Sequence, residues 1–196
     1  MKFQSDIDID FADRTMALRA IKHVPASQRK DGKLVAHNTG VYVTDIPVDP
    51  FTGFSSIDYE TAEDRGYVKL DFLNVNLYQQ VRDEAHLQEL MNTIPDWARF
   101  NTDQAFFETL IHVNNHWNVL KKMPEPVDSI PRLAMLLAII RPAKRSLIGK
   151  TWKEVAEAVW VKPEDDSYYF KRSHAVAYAH LVQVNMNLAG LAHKND

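Results

Sequence analysis

The segment Gln4–Arg14, QSDIDIDFADR, carries aspartates at Asp6, Asp8 and Asp10 alternating with Ile7, Ile9 and Phe11. In a β-strand successive side chains point to opposite faces, so this pattern predicts a strand with an acidic face and an apolar face. Neighbouring carboxylates on such a face stand about 6.6 Å apart along the strand. Like charges at that spacing repel, and Asp is a poor strand former. The stretch therefore calls for a cation over its acidic face.

A second strand offers a partner carboxylate. In GYVKLDFLNV, Gly66–Val75, alternation puts Val68, Leu70 and Phe72 on one face and Lys69, Asp71 and Leu73 on the other. Asp71 is flanked by apolar residues in a segment that reads as buried, and a buried carboxylate without a cation or donors is costly. Asp6, Asp8 and Asp71 are the expected ligands of a pair of divalent ions, which together activate an attacking oxygen and stabilise a leaving one. Mg²⁺ suits an all-oxygen set, with Mn²⁺ as a substitute. The competing reading is a solvated acidic edge strand that discourages sheet aggregation. An EF-hand loop is excluded, because the positions that need Gly and Glu, counted from Asp6, hold Phe11 and Ala17.

The chain has 196 residues, 45% of them hydrophobic and 25% charged, which suits a folded protein of one domain or two small lobes. It contains no cysteine, so thiolate metal sites and disulfides are excluded. No apolar run reaches membrane-span length; the longest, Leu133–Ile140, is a core-helix candidate. The acidic amino-terminal segment does not resemble a secretion signal, and a cytoplasmic setting without membrane contact is expected. The net charge of −3 conceals a basic stretch. Between Asn118 and Lys153, eight Lys or Arg (121, 122, 132, 141, 144, 145, 150, 153) oppose two acids, Glu125 and Asp128, giving a local +6. Such a surface binds phosphates, or is simply a solvated helix edge.

Strand and turn signals fill residues 1–78, and helical periodicity fills 79–196, so an α+β chain of two lobes is expected. KLVAHNTGVYVTDI, Lys33–Ile46, reads as two short strands around a turn at Asn38–Gly40. A short helix is expected in ADRTMALRAIKHV, Ala12–Val24. In the second lobe, helices are expected in Val81–Met91, Thr102–Met123, Ser129–Ile140, Thr151–Trp160 and Ser173–Gly190. Thr151 with Glu154 forms a capping-box pattern, and Pro131 suits a first turn. HVNNH places His112 and His116 at a helical i, i+4 spacing suited to zinc, but Val113 stands where a catalytic glutamate belongs. No glycine-rich phosphate loop is present.

Taken in order, five blocks resemble the palm and fingers of C-family DNA polymerases, the bacterial DNA polymerase III α subunit. SDIDIDFADR is similar to the family's PDxDxDF motif, and KLVAHNTGVYVTDI to the hairpin after it. FSSIDYETAEDRGYVKLDFLNV resembles the segment with the third catalytic aspartate. NVLKKMPEPVDSIPRLAMLLAIIRPAK resembles a fingers segment ending in Arg-Pro, and YYFKRSHAVAYAHLV a later fingers stretch. The resemblance implies a small nucleotidyltransferase-like palm sheet followed by a helical fingers-like lobe. It implies metal binding by Asp6, Asp8 and Asp71, with Asp10 behind them and Lys69 beside a primer end or substrate phosphate. Arg141, Lys171, Ser173, His174 and Tyr178 would then face the incoming nucleotide, with Lys144 and Arg145 adding to that basic surface.

Primer–template DNA and a nucleoside triphosphate are the implied partners, in a replication protein of phage or mobile-element type. Residues 1–4 do not carry the glycine–serine phosphate-gripping motif that the resemblance leads one to expect before SDIDIDF, and Arg-Pro-Gly-Pro has become Arg141-Pro142-Ala143-Lys144. Two alternatives therefore accompany the polymerase reading. One is a catalytically inactive scaffold that binds nucleic acid or a replisome protein. The other is half of a split enzyme, completed by a partner chain that supplies the missing motif.

Overall fold

The computed structural model describes residues 7–165 and 167–192, with side chains as far as 190. Asp6, one of the three expected metal ligands, lies outside the described residues. The chain is α+β and divides into two compact units, Met1–Val81 and Arg82–Asp196.

The first unit holds a four-stranded mixed sheet. Its strands are β1 (Ile7–Phe11), β2 (Val24–Lys30), β3 (Lys33–Tyr42) and β4 (Leu70–Asn74), in spatial order β1-β4-β3-β2. β1 runs parallel to β4, and β3 is antiparallel to both β4 and β2. Helix α1 (Arg14–Arg19) follows β1, capped by the Asp13 carboxylate accepting from the Thr15 and Met16 amides. Helix α2 (Tyr59–Asp64) is capped by Asp58, and a 3-10 turn (Asn76–Gln80) closes the unit. A small core of Ala26, Tyr42, Ile46 and Ala62 fills one region of it.

The expected hairpin turn at Asn38–Gly40 is corrected. β3 runs unbroken through it, and the chain reverses at Asp31–Gly32, with φ of 51° and 75°. Lys30 pairs with Lys33 across this two-residue loop, whose Asp-Gly chemistry suits left-handed backbone. The polar run His37–Gly40 is instead a wide bulge. Pro25 pairs with Val41 and Ser27 with Ala36, so Ala26 alone opposes four residues of β3. Bulges bend a strand and re-aim its side chains.

The second unit is helical: α3 (Glu84–Asn92), α4 (Trp97–Thr102), α5 (Gln104–Glu108), α6 (Trp117–Leu120), α7 (Ile130–Ile139), α8 (Trp152–Ala158) and α9 (Arg172–Ala192). Every residue of α7 from Leu133 to Ile139 is buried, which makes it the core element its apolar run predicts. Gln183 and Asn187 of α9 donate to the carbonyls of Leu90, Met91 and Thr93, satisfying the open C-terminal end of α3. α8 opens with the full Thr151–Glu154 capping box. Among the described residues no helix is long and apolar enough to cross a membrane.

The long helix expected over Thr102–Met123 does not form. α5 stops at Glu108, and His112 and Asn115 adopt left-handed backbone with φ of 66° and 65°. Phe106, Phe107, Leu110 and Val113 are all buried at helix-like spacing. Their periodicity survives in a compact turn, because Asn114 and Asn115 favour local and left-handed conformations over helix.

Candidate active site

The register of the sheet sets the site. In the parallel β1/β4 ladder Asp8 pairs with Asp71, and in the β3/β4 ladder Gly40 pairs with Asp71. Paired residues on adjacent strands stand about 4.8 Å apart and share a face, so both carboxylates rise from the same side of the sheet. Asp10 follows Asp8 on that face, opposite Leu73. Burial and the Asp8 carboxylate push the Asp10 carboxyl above its usual range.

Asp71 is nine-tenths buried and closely tied. The Thr39 hydroxyl donates to its Oδ1 at 2.7 Å, and the Lys69 ammonium forms an ion pair with Oδ2. Lys69 precedes β4 by one residue and reaches the same face, its ammonium 5.6 Å from the centre of the Tyr59 ring. Its stem runs over Gly40. A Cβ there would meet Lys69 Cδ at 2.7 Å and His37 Nδ1 at 2.9 Å, so only glycine permits the approach.

The bulge supplies the remaining contacts. His37 Nδ1 accepts from the Gly40 amide at 2.8 Å and the Thr39 amide at 3.3 Å, which leaves the ring proton on Nε2. Its approach to Asp71 at 3.7 Å is therefore not a charged pair. Burial, then Lys69, depress the His37 pKa, with Arg14 acting in the same direction. Arg14 donates from its backbone to Asn74 Oδ1 at 3.0 Å and from its guanidinium to the Thr39 carbonyl at 3.4 Å. Its Nε is buried without a hydrogen-bond partner among the described residues.

The structure thus brings Asp8, Asp71 and Lys69 together, while Asp6 lies outside the described residues. Among those residues, no three His, Cys, Asp or Glu side chains form a group able to hold a metal ion. The donors present are the oxygens of Asp8 and Asp71, with Asp10 beside them. Both Asp71 oxygens are engaged, Oδ1 by Thr39 and Oδ2 by Lys69, so an oxygen-seeking cation such as Mg²⁺ would have to displace Lys69 and draw the rest of its shell from Asp8, water and substrate oxygens. Thr39, His37 and Arg14 were not found from the sequence. Reading Asn38–Gly40 as a turn removed His37 and Thr39 from consideration, and only the Asp31–Gly32 pair signalled otherwise.

The helical unit contains a separate cation–aromatic cluster. The Arg141 guanidinium lies 4.0 Å above the Phe170 ring, Phe170 stacks on Tyr178 at 5.4 Å, and Tyr178 meets His112 at 4.4 Å. Lys171, Ser173 and Arg145 are exposed and His174 is half-buried. Lys144 is corrected as a surface phosphate ligand: it is buried, and its ammonium donates to the carbonyls of Ala158 and Val161 at 3.0 and 2.6 Å. It closes the C-terminal end of α8, where a cation also meets the helix dipole. Arg132 is engaged by Asp128 and Glu125, which lowers the free charge of the basic stretch. The zinc spacing of His112 and His116 loses its premise, since the chain between them is not helical.

Comparison with known proteins finds no matching family model, no matching curated protein and no matching solved structure.

Proposed function

We propose that the chain is a minimal nucleotidyltransferase of the DNA polymerase III α type, adding nucleotides to a nucleic-acid 3′ end. The observation that carries this reading is the Asp8–Asp71 register pair, two carboxylates from adjacent strands on one face with a lysine beside them. A two-carboxylate pair with Lys69 is the equipment phosphoryl transfer needs at its centre, since such catalysis is mostly positioning and charge stabilisation. Mg²⁺ or Mn²⁺ held by Asp8, Asp71 and Asp6 would supply Lewis-acid stabilisation of the reacting phosphate and a more acidic 3′-hydroxyl.

The chain's own residues have definable tasks. Thr39 holds Oδ1 of Asp71 and Lys69 holds Oδ2, which fixes the carboxylate's orientation. Lys69 neutralises that oxygen until a substrate or ion arrives, and then becomes a donor for a phosphate oxygen. Arg141, Arg145, Lys171, Ser173, His174 and Tyr178 would serve nucleotide and nucleic-acid binding in a cytoplasmic replication protein.

The test is primer extension by purified protein with each nucleoside triphosphate and Mg²⁺ or Mn²⁺. Extension that disappears in Asp71→Asn supports the reading; folded protein that extends no primer under any condition removes it. A scaffold without catalysis is favoured by one observation, that Lys69 already balances Asp71 without a metal. Titration with Mn²⁺ separates the two, because a scaffold binds none or binds it equally well after Asp8→Asn.

A further inference from the structure

A cavity of about 360 Å³ opens in the helical unit, away from the acidic face and from the Arg141 surface. Its wall is formed by the end of α3, the loop after it, the start of α4, Phe106 of α5 and one face of α9. Small-molecule sites have this size, and they are mostly apolar with a few placed polar groups. Here the apolar part is Leu90, Ile94, Phe106 and Met186, and the charged part is Glu89, Asp96 and Arg99.

Hydrogen bonds fix each wall. Gln183 and Asn187 donate to the carbonyls of Leu90, Met91 and Thr93 at 2.7 to 3.0 Å, which ties α9 to the end of α3. The Thr93 hydroxyl donates to the Glu89 carbonyl at 2.8 Å, and the Asp96 carboxylate accepts the Arg99 amide at 2.9 Å, so the loop is held at both ends. The Arg99 guanidinium lies 4.2 Å from the centre of the Phe106 ring and pairs with Asp103 at 3.0 Å. Walls held in this way spare a ligand the cost of ordering them. Met186, Asn187 and Gly190 share one face of α9 through their i, i+3 and i, i+4 spacing. A Cβ on Gly190 would meet nothing within 4 Å, so this face leaves room beside the helix backbone.

Shape and charge decide what fits. Ile94 is 83% exposed while Leu90, Phe106 and Met186 are buried, so an apolar body laid against Ile94 removes a large side chain from water. Met186 and Phe106 both favour aromatic neighbours. The charge is negative. Asp103 engages Arg99, whereas neither Glu89 nor Asp96 pairs with a cation among the described residues. The C-terminal end of α3 adds the negative end of its dipole.

We propose that this cavity binds a small organic cation, an aromatic amine whose ring rests among Leu90, Ile94, Phe106 and Met186 and whose ammonium faces Glu89 and Asp96. The two carboxylates disfavour a nucleotide or any other anion at this place. The site goes beyond the nucleotidyltransferase reading and does not depend on it, since the cavity is lined by none of the residues assigned to metal, nucleotide or nucleic acid.

The experiment is methyl NMR of the full chain with labelled methionine, titrated with tryptamine and, separately, with indoleacetate, which carries the same ring and the opposite charge. The Met186 methyl, assigned through Met186→Leu, should shift saturably with tryptamine, while that of Met16, 67% exposed in the sheet unit, should not. Indoleacetate should bind about tenfold more weakly, since each exposed ion pair is worth up to about fivefold. Glu89→Gln combined with Asp96→Asn should remove that preference; Asn caps a helix as well as Asp does, so α4 is kept. Gly190→Leu should block tryptamine without lowering the melting temperature, because leucine favours helix over glycine and its side chain enters open space.

Absence of a saturable shift at Met186 overturns the proposal, as does an equal shift at Met16, the mark of surface adsorption. Indoleacetate binding as tightly as tryptamine overturns it too, as does an unchanged preference in the double carboxylate variant. Unchanged tryptamine binding by folded Gly190→Leu would put the ligand elsewhere and has the same consequence. None of these outcomes involves primer extension, so the cavity and the nucleotidyltransferase reading stand or fall separately.

Discussion

The two units are held together by different means. The helical unit is built on apolar burial: α7 is enclosed on all sides, and Leu133, Leu136, Leu137 and Ile139 are fully buried. The sheet unit works instead through polar contacts. Ser27 and Ser55 bond to each other in the interior, Asp58 caps α2 and pairs with Arg29, and Asp71 is clasped by Thr39 and Lys69. Its first strand remains open enough that Ile7 is 42% exposed. Apolar packing is tolerant and cooperative, whereas buried polar networks are specific and fragile. The fragile unit is the one that presents the acidic face.

The largest expected effect tests the first half of that contrast. Leu136→Ala should cost about 3 kcal/mol, since it deletes a fully buried side chain whose surroundings relax only in part. Urea denaturation followed by Trp fluorescence measures it, because Trp97, Trp117, Trp152 and Trp160 all lie in the helical unit. A cost below about 1 kcal/mol would mean that this core is loosely packed.

The next effect belongs to the acidic face. Asp71→Asn should lower any nucleotide addition about 100-fold or more, since even groups that only orient a metal ligand are worth about 10- to 100-fold. The same change leaves Lys69 without its partner, so stability should fall as well. A variant that is destabilised yet fully active would confine Asp71 to a structural role.

How legible this was depends on how far each feature reaches along the chain. β1, β4, α7 and α8 were readable because alternation, a continuous apolar run and a capping box are local patterns of single elements. The bulge at His37–Gly40 was not, because the same polar residues serve a turn, and only the pairing of β2 with β3 separates the two. The break at His112 was hidden by a true apolar periodicity. Lys144 looked like a surface cation because nothing local announces that the carbonyls of Ala158 and Val161 stand above it. The Asp8–Asp71 pairing could be guessed from the sequence, but its register depends on a ladder between segments some sixty positions apart.

A smaller effect separates the polar network from its neighbours by pH. Hydrogen bonds from Thr61, first from its amide, and from Arg29 hold the Asp58 carboxyl below its ordinary 3.8 despite burial. A lowered folded value means the stabilisation is complete above the unfolded value and is lost as pH falls through the folded one. Asp58→Ala should cost about 1 kcal/mol at neutral pH, the usual price of a helix cap. The gap to wild type in thermal melts should narrow toward about pH 3, where the unfolded carboxyl is already protonated. A gap that stays constant would assign the cost to packing alone.

Gly40→Ala probes the join between fold and site. Gly40 pairs across from Asp71, and a Cβ there would press on Lys69 Cδ, His37 Nδ1 and, at 3.1 Å, Ala26 Cβ. The first of these belongs to a flexible stem that can swing aside, while the His37 ring is held by two backbone amides and Ala26 by the sheet. Lys69 can swing aside at little cost, so the remaining His37 and Ala26 contacts set the loss of stability, about 1 to 2 kcal/mol. The contact that breaks is the Lys69–Asp71 pair. The side-chain NMR signal of the Lys69 ammonium, slowed by its buried partner, should then lose its protection while the helical unit's signals stay in place. A cost above about 3 kcal/mol would show instead that the bulge is as tightly packed as α7. An unchanged ammonium signal would show that Lys69 does not cross Gly40, and the acidic face would lose the lysine on which its charge balance depends.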